Sequence, residues 1–173
     1  GRFSFVGCEP VLVVHSSGKT VRIDGKPAGR NPFAVLRRVL QMHRMAAAPT
    51  PVPFVGGAVG YFAYDLGRFV ERLPDNTVDD IRLPEMHFAL YDTVAGFDHL
   101  AQKWYVACAD IGASGAAARR KRLASAIEQP PPLPRFGPVS ARGLRSSFTR
   151  AEYLRAVARA KDYIAAGDIF QVN

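Results

Sequence analysis

The chain has 173 residues, of which 48% are hydrophobic and 10% aromatic, and its formal net charge is +8. This apolar content is enough for a hydrophobic core, so it excludes disorder as the main state. The positive charge would favour nucleic acid as a partner, but no aromatic residues alternate with the densest basic cluster, residues 119–122. We therefore expect that cluster to be a solvated helix face and the protein to bind no nucleic acid.

No stretch approaches the ~18 consecutive apolar residues of a membrane span, and the N-terminal residues lack the layout of a signal peptide. The sequence thus predicts a soluble, cytoplasmic protein that contacts no membrane. Cys8 and Cys108 each lie in an apolar, strand-like setting, which favours reduced thiols in the core over a single disulfide. The histidines are far apart in sequence, so no metal site is predicted from them.

The first elements have the pattern of a small antiparallel meander followed by a helix. Strand-like residues occupy 3–6, 11–15 and 20–23, and turn residues separate them. Asn31 before Pro32 is a good N-cap and first-turn pair, and apolar residues then recur at helical spacing. We predict a helix over 32–45.

A glycine-rich run follows over residues 54–74, with the sequence FVGGAVGYFAYDLGRFVERLP. Glycine weakens an extended segment, so Gly56, Gly57 and Gly60 predict bulges or a close approach by another element. The flanking aromatic and β-branched residues predict a buried strand. Asp65 and Arg68 then have the spacing of one helical turn, which favours a structural ion pair over a catalytic role.

Two more strands are predicted over 85–95 and 103–109, and an Ala- and Arg-rich helix over 112–128. Residues two apart in a strand share a face, so Trp104 should lie beside Val106 and Cys108. We expect Trp104 to be a core residue rather than a ligand-stacking one. Prolines from residue 130 onward break the helix, and 130–147 is predicted to be a Pro-rich linker.

The last helix carries clear signals at both ends. Thr149 and Glu152 form a capping box, Phe148 and Tyr153 are placed as a hydrophobic staple, and Gly167 ends the helix.

Residues 168–173 are predicted to begin a strand with the amides of Gln171 and Asn173 on one face. Because the chain stops within that strand and starts with Gly1 rather than Met, we expect a piece covering about a third of a larger enzyme.

Several blocks occur in a fixed order along the chain. They are GRFSFVGCEP at 1–10, the glycine-rich run at 54–74, LPEMHFALYDTVAGFDH at 83–99 and FTRAEYL…AKDYIAAGDIFQVN at 148–173. In sequence and order they resemble the chorismate-utilising enzymes, anthranilate synthase and aminodeoxychorismate synthase component I.

The resemblance implies an α+β fold of antiparallel sheets with outer helices. This is the N-terminal region of the anthranilate synthase component I-like α/β sandwich, here truncated. The resemblance also divides the chain into that N-terminal region (1–129), the Pro-rich linker (130–147) and the truncated start of a chorismate-binding catalytic domain (148–173).

The resemblance also implies an enzyme that binds chorismate with Mg²⁺ and receives ammonia from a glutamine amidotransferase partner. In the resembled enzymes the acidic metal ligands and a catalytic lysine belong to motifs that would lie beyond Asn173. No catalytic or metal-binding residue is therefore expected within this chain, and the chain alone is expected to be inactive.

One binding site is implied within the chain. In many members of the resembled family, the block matching residues 1–5 lies beside a pocket that binds tryptophan, which makes Arg2, Phe3 and Ser4 the candidate residues. An aromatic ring and a cation at a sheet edge can hold an indole and a carboxylate. An ordinary first strand is the simpler interpretation, and the polar segment that precedes this block in the family is absent.

Within the family, three details favour aminodeoxychorismate synthase, a transferase that aminates C4 of chorismate toward para-aminobenzoate and folate. They are GCEP at 7–10, DLGR at 65–68, and Asn173, where anthranilate synthases commonly have Val. The alternative is anthranilate synthase component I of tryptophan biosynthesis, which aminates C2 and eliminates pyruvate. A second alternative is a non-catalytic amino-acid-binding or docking module.

Overall fold

The strands of the described residues form two antiparallel sheets. The computed structural model describes residues 1–45, 49–74, 78–130, 132–137, 143 and 145–172. The chain divides into two compact units, Gly1–Pro131 and Pro132–Asn173. The α+β class with antiparallel sheets and outer helices is confirmed.

The first unit contains all the strands of the described residues. They are β1 (Phe3–Gly7), β2 (Leu12–Ser17), β3 (Thr20–Ile23), β4 (Lys26–Gly29), β5 (Gly57–Phe62), β6 (Met86–Tyr91), β7 (Thr93–Asp98) and β8 (Lys103–Cys108). One sheet has the strand order β1-β7-β8 and the other β4-β3-β2-β6-β5. The helices of the first unit are α1 (Pro32–Met42), a 3₁₀ helix (Tyr64–Phe69) and α2 (Ala116–Glu128).

The three-stranded meander predicted from the sequence is wrong for its first strand, because β2 and β3 pair as expected but β1 pairs with β7 in the smaller sheet. β2, β3 and β4 pair in succession, although the pattern predicted nothing over Lys26–Gly29. Pro27 lacks a backbone donor and therefore argues against a central strand, but β4 is an edge strand, where proline is tolerated.

Helix α1 packs its apolar side on the five-stranded sheet. The core cluster consists of Val14, Val21, Val35, Leu36, Val39, Leu66 and Met86. The predicted N-cap is confirmed, because the Asn31 side chain accepts a hydrogen bond from the Ala34 amide at 2.9 Å. The helix ends at Met42 rather than residue 45, since His43 leaves helical geometry and its ring bonds the Ile111 carbonyl at 2.9 Å.

The glycine-rich strand shows the expected close approach. Gly60 lies opposite Phe88 in the β5–β6 register, and a Cβ at Gly60 would lie 1.9 Å from the His87 carbonyl oxygen. The prediction of a buried strand is wrong, because no residue of β5 is buried and Val59, Tyr61 and Phe62 are exposed. These side chains are exposed because β5 is an edge strand of its sheet.

The single strand predicted over 85–95 is wrong. The chain forms β6 in the five-stranded sheet, breaks at Asp92, and continues as β7 in the three-stranded sheet. Both strands consist of strand-forming residues, so the pattern gave no sign of the change of sheet. β7 also extends to Asp98, into residues expected to be a turn.

Three residues expected in the core are exposed. Trp104 is 43% exposed and packs on one side against Phe97, with ring centroids 5.0 Å apart. Cys8 and Cys108 are free thiols on the surface. β8 is an edge strand and Cys8 follows the other edge strand, β1, so alternation alone overestimates burial in both places.

The second unit is built around helix α3 (Arg150–Ala166). Its capping box is confirmed by the hydrogen bonds between Thr149 and Glu152, and Gly167 ends the helix in the left-handed region at φ 83°. Phe148 contacts Tyr153 edge-on, as the staple predicts.

The strand predicted over 168–173 is not formed in residues 168–172, and Asn173 lies outside the described residues. A strand needs a neighbouring strand for its backbone groups, and no strand of the described residues pairs with this segment. None of the helices in the described parts of the chain has the length and apolar character needed to span a membrane.

Candidate functional site

The candidate residues Arg2, Phe3 and Ser4 lie at the start of β1, the edge strand of the smaller sheet. β1 pairs antiparallel with β7, so Phe3 lies opposite Asp98 and Ser4 opposite Phe97. Neighbouring residues of a strand point to opposite faces, so Phe3 and Ser4 do not share a face. Phe3 stacks on Phe5, with ring centroids 6.2 Å apart.

Arg2 is held by Asp98. Its Nη2 donates to Asp98 Oδ2 at 2.7 Å and its Nε to Oδ1 at 3.2 Å, while the amides of Leu100 and Ala101 also donate to Oδ1. The hydrogen bonds from Arg2, followed by those two amides, lower the pKa of Asp98 to about 2. The Arg2 guanidinium also lies over the Phe3 ring, 4.8 Å from its centroid.

The Ser4 side chain also has a hydrogen-bond partner. Its hydroxyl is 2.7 Å from His99 Nε2, and the His99 ring contacts Phe97 edge-on. Arg2 and Ser4 therefore fasten β1 to the end of β7, and the guanidinium charge is already opposed by a carboxylate. These contacts describe a well-anchored first strand, and tryptophan binding at this place stays a prediction.

A second charged cluster joins α2 to the point where the chain changes sheet. Arg119 Nε donates to Asp92 Oδ1 at 2.9 Å, and the Thr93 hydroxyl donates to the same oxygen at 2.9 Å. The Asp92 side chain is 1% exposed and that of Arg119 is 15% exposed. The hydrogen bond from Arg119 is the main reason that the pKa of Asp92 is lowered, against the opposing effect of burial.

The expectation that residues 119–122 form a solvated face is therefore wrong for Arg119, whereas the side chain of Arg122 is 55% exposed. Besides Arg119, Arg122 reaches the segment after β1, where its Nε donates to Glu9 Oε1 at 2.8 Å. The sequence could not reveal this, because Asp92 and Glu9 are distant in sequence and come close only when the smaller sheet forms.

The ion pair predicted in the charged corner after β5 is confirmed. Arg68 Nη2 lies 3.2 Å from Asp65 Oδ1 on the 3₁₀ helix. This pair lines a cavity of about 340 Å³ with Gly18, Lys19, Arg30, Phe69 and Glu85. Sequence reasoning missed this cavity, because its walls come from separate loops that carry no shared motif.

Metal ligands are the remaining question. Among the described residues, no group of three or more His, Cys, Asp or Glu side chains could hold a metal ion. No chemical step through Mg²⁺ is therefore assigned to these residues, and the location of the metal ligands beyond Asn173 stays a prediction.

Comparisons with known proteins agree on one kind of relative. The family model described as chorismate binding enzyme matches residues 4–173. The chain is 42% identical to anthranilate synthase component 1 of Thermus thermophilus, over 99% of this chain and 37% of that protein. It is 35% identical to the protein of the same name from Pseudomonas aeruginosa, over 99% of this chain and 39% of that protein.

The fold has a solved counterpart. The crystal structure of anthranilate synthase component I from Streptococcus pneumoniae TIGR4 superposes with a TM-score of 0.71 at 25% identity, covering 97% of this chain and 39% of that one. The chain thus spans less than two fifths of the length of these relatives.

Proposed function

The chain belongs to the family of chorismate binding enzymes, and from that membership we propose that the whole protein is component I of an anthranilate synthase. The observation that carries the proposal is the 42% identity to such a component over 99% of the chain. In the proposed reaction ammonia adds at C2 of chorismate as the C4 hydroxyl leaves as water, and the enolpyruvyl group is then eliminated as pyruvate, leaving anthranilate.

The contribution of the described residues to this reaction is structural. They supply no metal ligand set, and the charged groups of the Arg2–Asp98 and Asp92–Arg119 clusters are paired with one another. We propose that this part of the protein forms a scaffold, and that the residues that contact chorismate and Mg²⁺ belong to the rest of the enzyme.

The nitrogen source and the metal complete the proposal. Ammonia would come from a glutamine amidotransferase partner, and free ammonium would replace that partner at high concentration. Mg²⁺ is proposed as a requirement of the whole enzyme, so chelation should stop turnover and added Mg²⁺ should restore it.

A second candidate is aminodeoxychorismate synthase, which keeps the enolpyruvyl group and places the amine at C4. Specific sequence features favour it, namely GCEP at 7–10, DLGR at 65–68 and Asn173. The comparisons favour anthranilate synthase instead, because each of the relatives described above carries that name. We rank anthranilate synthase first for that reason.

The product of the reaction tests both candidates. The full-length protein is incubated with chorismate, Mg²⁺ and ammonium chloride, and the products are separated and identified by mass spectrometry. Anthranilate and pyruvate in equal amounts are expected. 4-Amino-4-deoxychorismate without pyruvate would replace the first candidate by the second, whereas unchanged chorismate would overturn both. A reaction with EDTA in place of Mg²⁺ is the control for metal dependence.

A further inference from the structure

The cavity beside the 3₁₀ helix brings together cationic side chains from three separate elements. Lys19 comes from the turn between β2 and β3, Arg30 from the segment after β4, and Arg68 from the 3₁₀ helix. The cavity has a volume of about 340 Å³, and the Phe69 ring lines part of its wall.

The carboxylates of this cavity are occupied by other partners. Both oxygens of Glu85 accept from the Gly18 amide, at 3.0 and 2.8 Å, and Asp65 pairs with Arg68. The side chains of Lys19 and Arg30, by contrast, form no ion pair or hydrogen bond with another described residue. Lys19 and Arg30 therefore have no carboxylate partner among the described residues.

An adjoining depression has the opposite charge. It shares Asp65, Arg68 and Glu85 with the cavity but is also lined by Asp79 and Asp80. An anion would be repelled from that side and attracted to the side of Lys19 and Arg30. The charge distribution therefore gives the cavity one preferred end for a negative group.

The chemistry of the lining defines the ligand. Guanidinium and ammonium groups together bind phosphate and carboxylate oxygens, the first through paired donors and the second as a point charge. The aromatic wall at Phe69 suits an apolar body attached to that group. We propose that this cavity binds a small organic dianion, a phosphate monoester or dicarboxylate, with its charge at Lys19 and Arg30 and its apolar part against Phe69.

Protection of Lys19 from acetylation tests the proposal without any need for turnover, so its outcome is independent of the proposed enzymatic function. The full-length protein is treated briefly with sulfo-N-hydroxysuccinimide acetate at constant ionic strength, and peptide mass spectrometry measures acetylation at each lysine. Phenyl phosphate is the first probe, and phthalate distinguishes a dicarboxylate from a phosphate ligand. Lys121, exposed on α2, is the internal control.

If the probe binds with a Kd of about 1 mM, 10 mM probe should slow acetylation of Lys19 about tenfold and leave Lys121 unchanged. Arg30→Gln should remove most of that protection. Arg120→Gln is the matched control, because it removes the same charge from an exposed arginine of α2 and should leave protection intact.

Protection by either probe supports the site and identifies the preferred head group. Three results would overturn it: no protection by phenyl phosphate or phthalate, equal protection of Lys19 and Lys121, or protection that persists in Arg30→Gln. A Lys19 that resists acetylation without any probe would also overturn it, since the cavity would then be covered by another part of the protein.

Discussion

At Gly60 a single missing side chain sets the distance between two strands. A Cβ there would lie 1.9 Å from the His87 carbonyl oxygen and 2.7 Å from the Phe88 Cα, and both are backbone atoms that cannot rotate away. The sequence predicted a close approach from the glycine itself, but the strand that makes it is known only from the structure.

We predict that Gly60→Ala lowers the free energy of unfolding by about 3 kcal/mol, because β5 and β6 must move apart to admit the methyl group. Chemical denaturation of the full-length protein measures the change. Gly137→Ala is the matched control, because no atom lies within 4 Å of a Cβ at that position. Equal stability of the two variants would contradict the close approach.

Asp98 should make stability depend on pH. Its carboxyl is 3% exposed, and its pKa is lowered to about 2 by Arg2 and the neighbouring amides. A carboxyl that is harder to protonate when folded stabilises the protein above its unfolded pKa of about 3.9. That contribution is lost as the pH falls through the window from about 4 to about 2.

The expected result is that Asp98→Asn is less stable than the natural protein at pH 6 and that the difference shrinks toward pH 2. Thermal melts followed by circular dichroism across that range measure it. Melting curves that stay a constant distance apart from pH 6 to pH 2 would show that Asp98 does not act through its charge.

At the scale of elements, one buried ion pair decides where α2 packs. Asp92 occupies the break between β6 and β7, and Arg119 reaches it from the first turns of α2. The helix was predicted from composition, but its orientation was not. Within the cluster expected to be exposed at residues 119–122, Arg119 instead contacts the sheet junction, and residues 120–122 are exposed.

Asp92→Asn should destabilise the protein by about 3 kcal/mol, because it leaves the Arg119 guanidinium largely buried without its carboxylate. Glu9→Gln makes the same chemical change in the exposed pair with Arg122 and should have a much smaller effect. Urea denaturation of both variants gives the comparison. Equal losses would mean that burial of the Asp92 pair does not matter.

Sequence patterns predicted some helices and strands accurately and others wrongly. Helix α3 was predicted nearly to the residue, because its capping box and final glycine are local signals that act within one turn. The strand over 85–95 was wrong, because a change of sheet depends on which partners are available on each side. Burial of β5 and β8 was overestimated for the same reason, since nothing local marks an edge strand.

At the scale of the whole molecule, the chain divides into two units, Gly1–Pro131 and Pro132–Asn173. Residues 132–137 form no helix or strand, and Arg135 is exposed. Family membership and fold are clear from this part alone, although it spans less than two fifths of its relatives.

Brief trypsin digestion of the full-length protein should cut after Arg135 before it cuts within α2, because proteases need an extended, accessible backbone. Mass spectrometry of the first products identifies the site, and Arg135→Gln should abolish that product. Earlier cleavage after Arg119 or Arg122 would contradict the packing of α2 described above.

The sequence by itself determined the fold class, the caps of α1 and α3, the glycine contact of β5 and the family, because each rests on local geometry or on ordered blocks of residues. Only the tertiary structure decided that the chain changes sheets at Asp92 and that Arg2 and Arg119 are paired with aspartates. It also decided that Lys19, Arg30 and Arg68 line one cavity. These features join residues far apart in sequence, and no local pattern can say which distant groups folding will bring together.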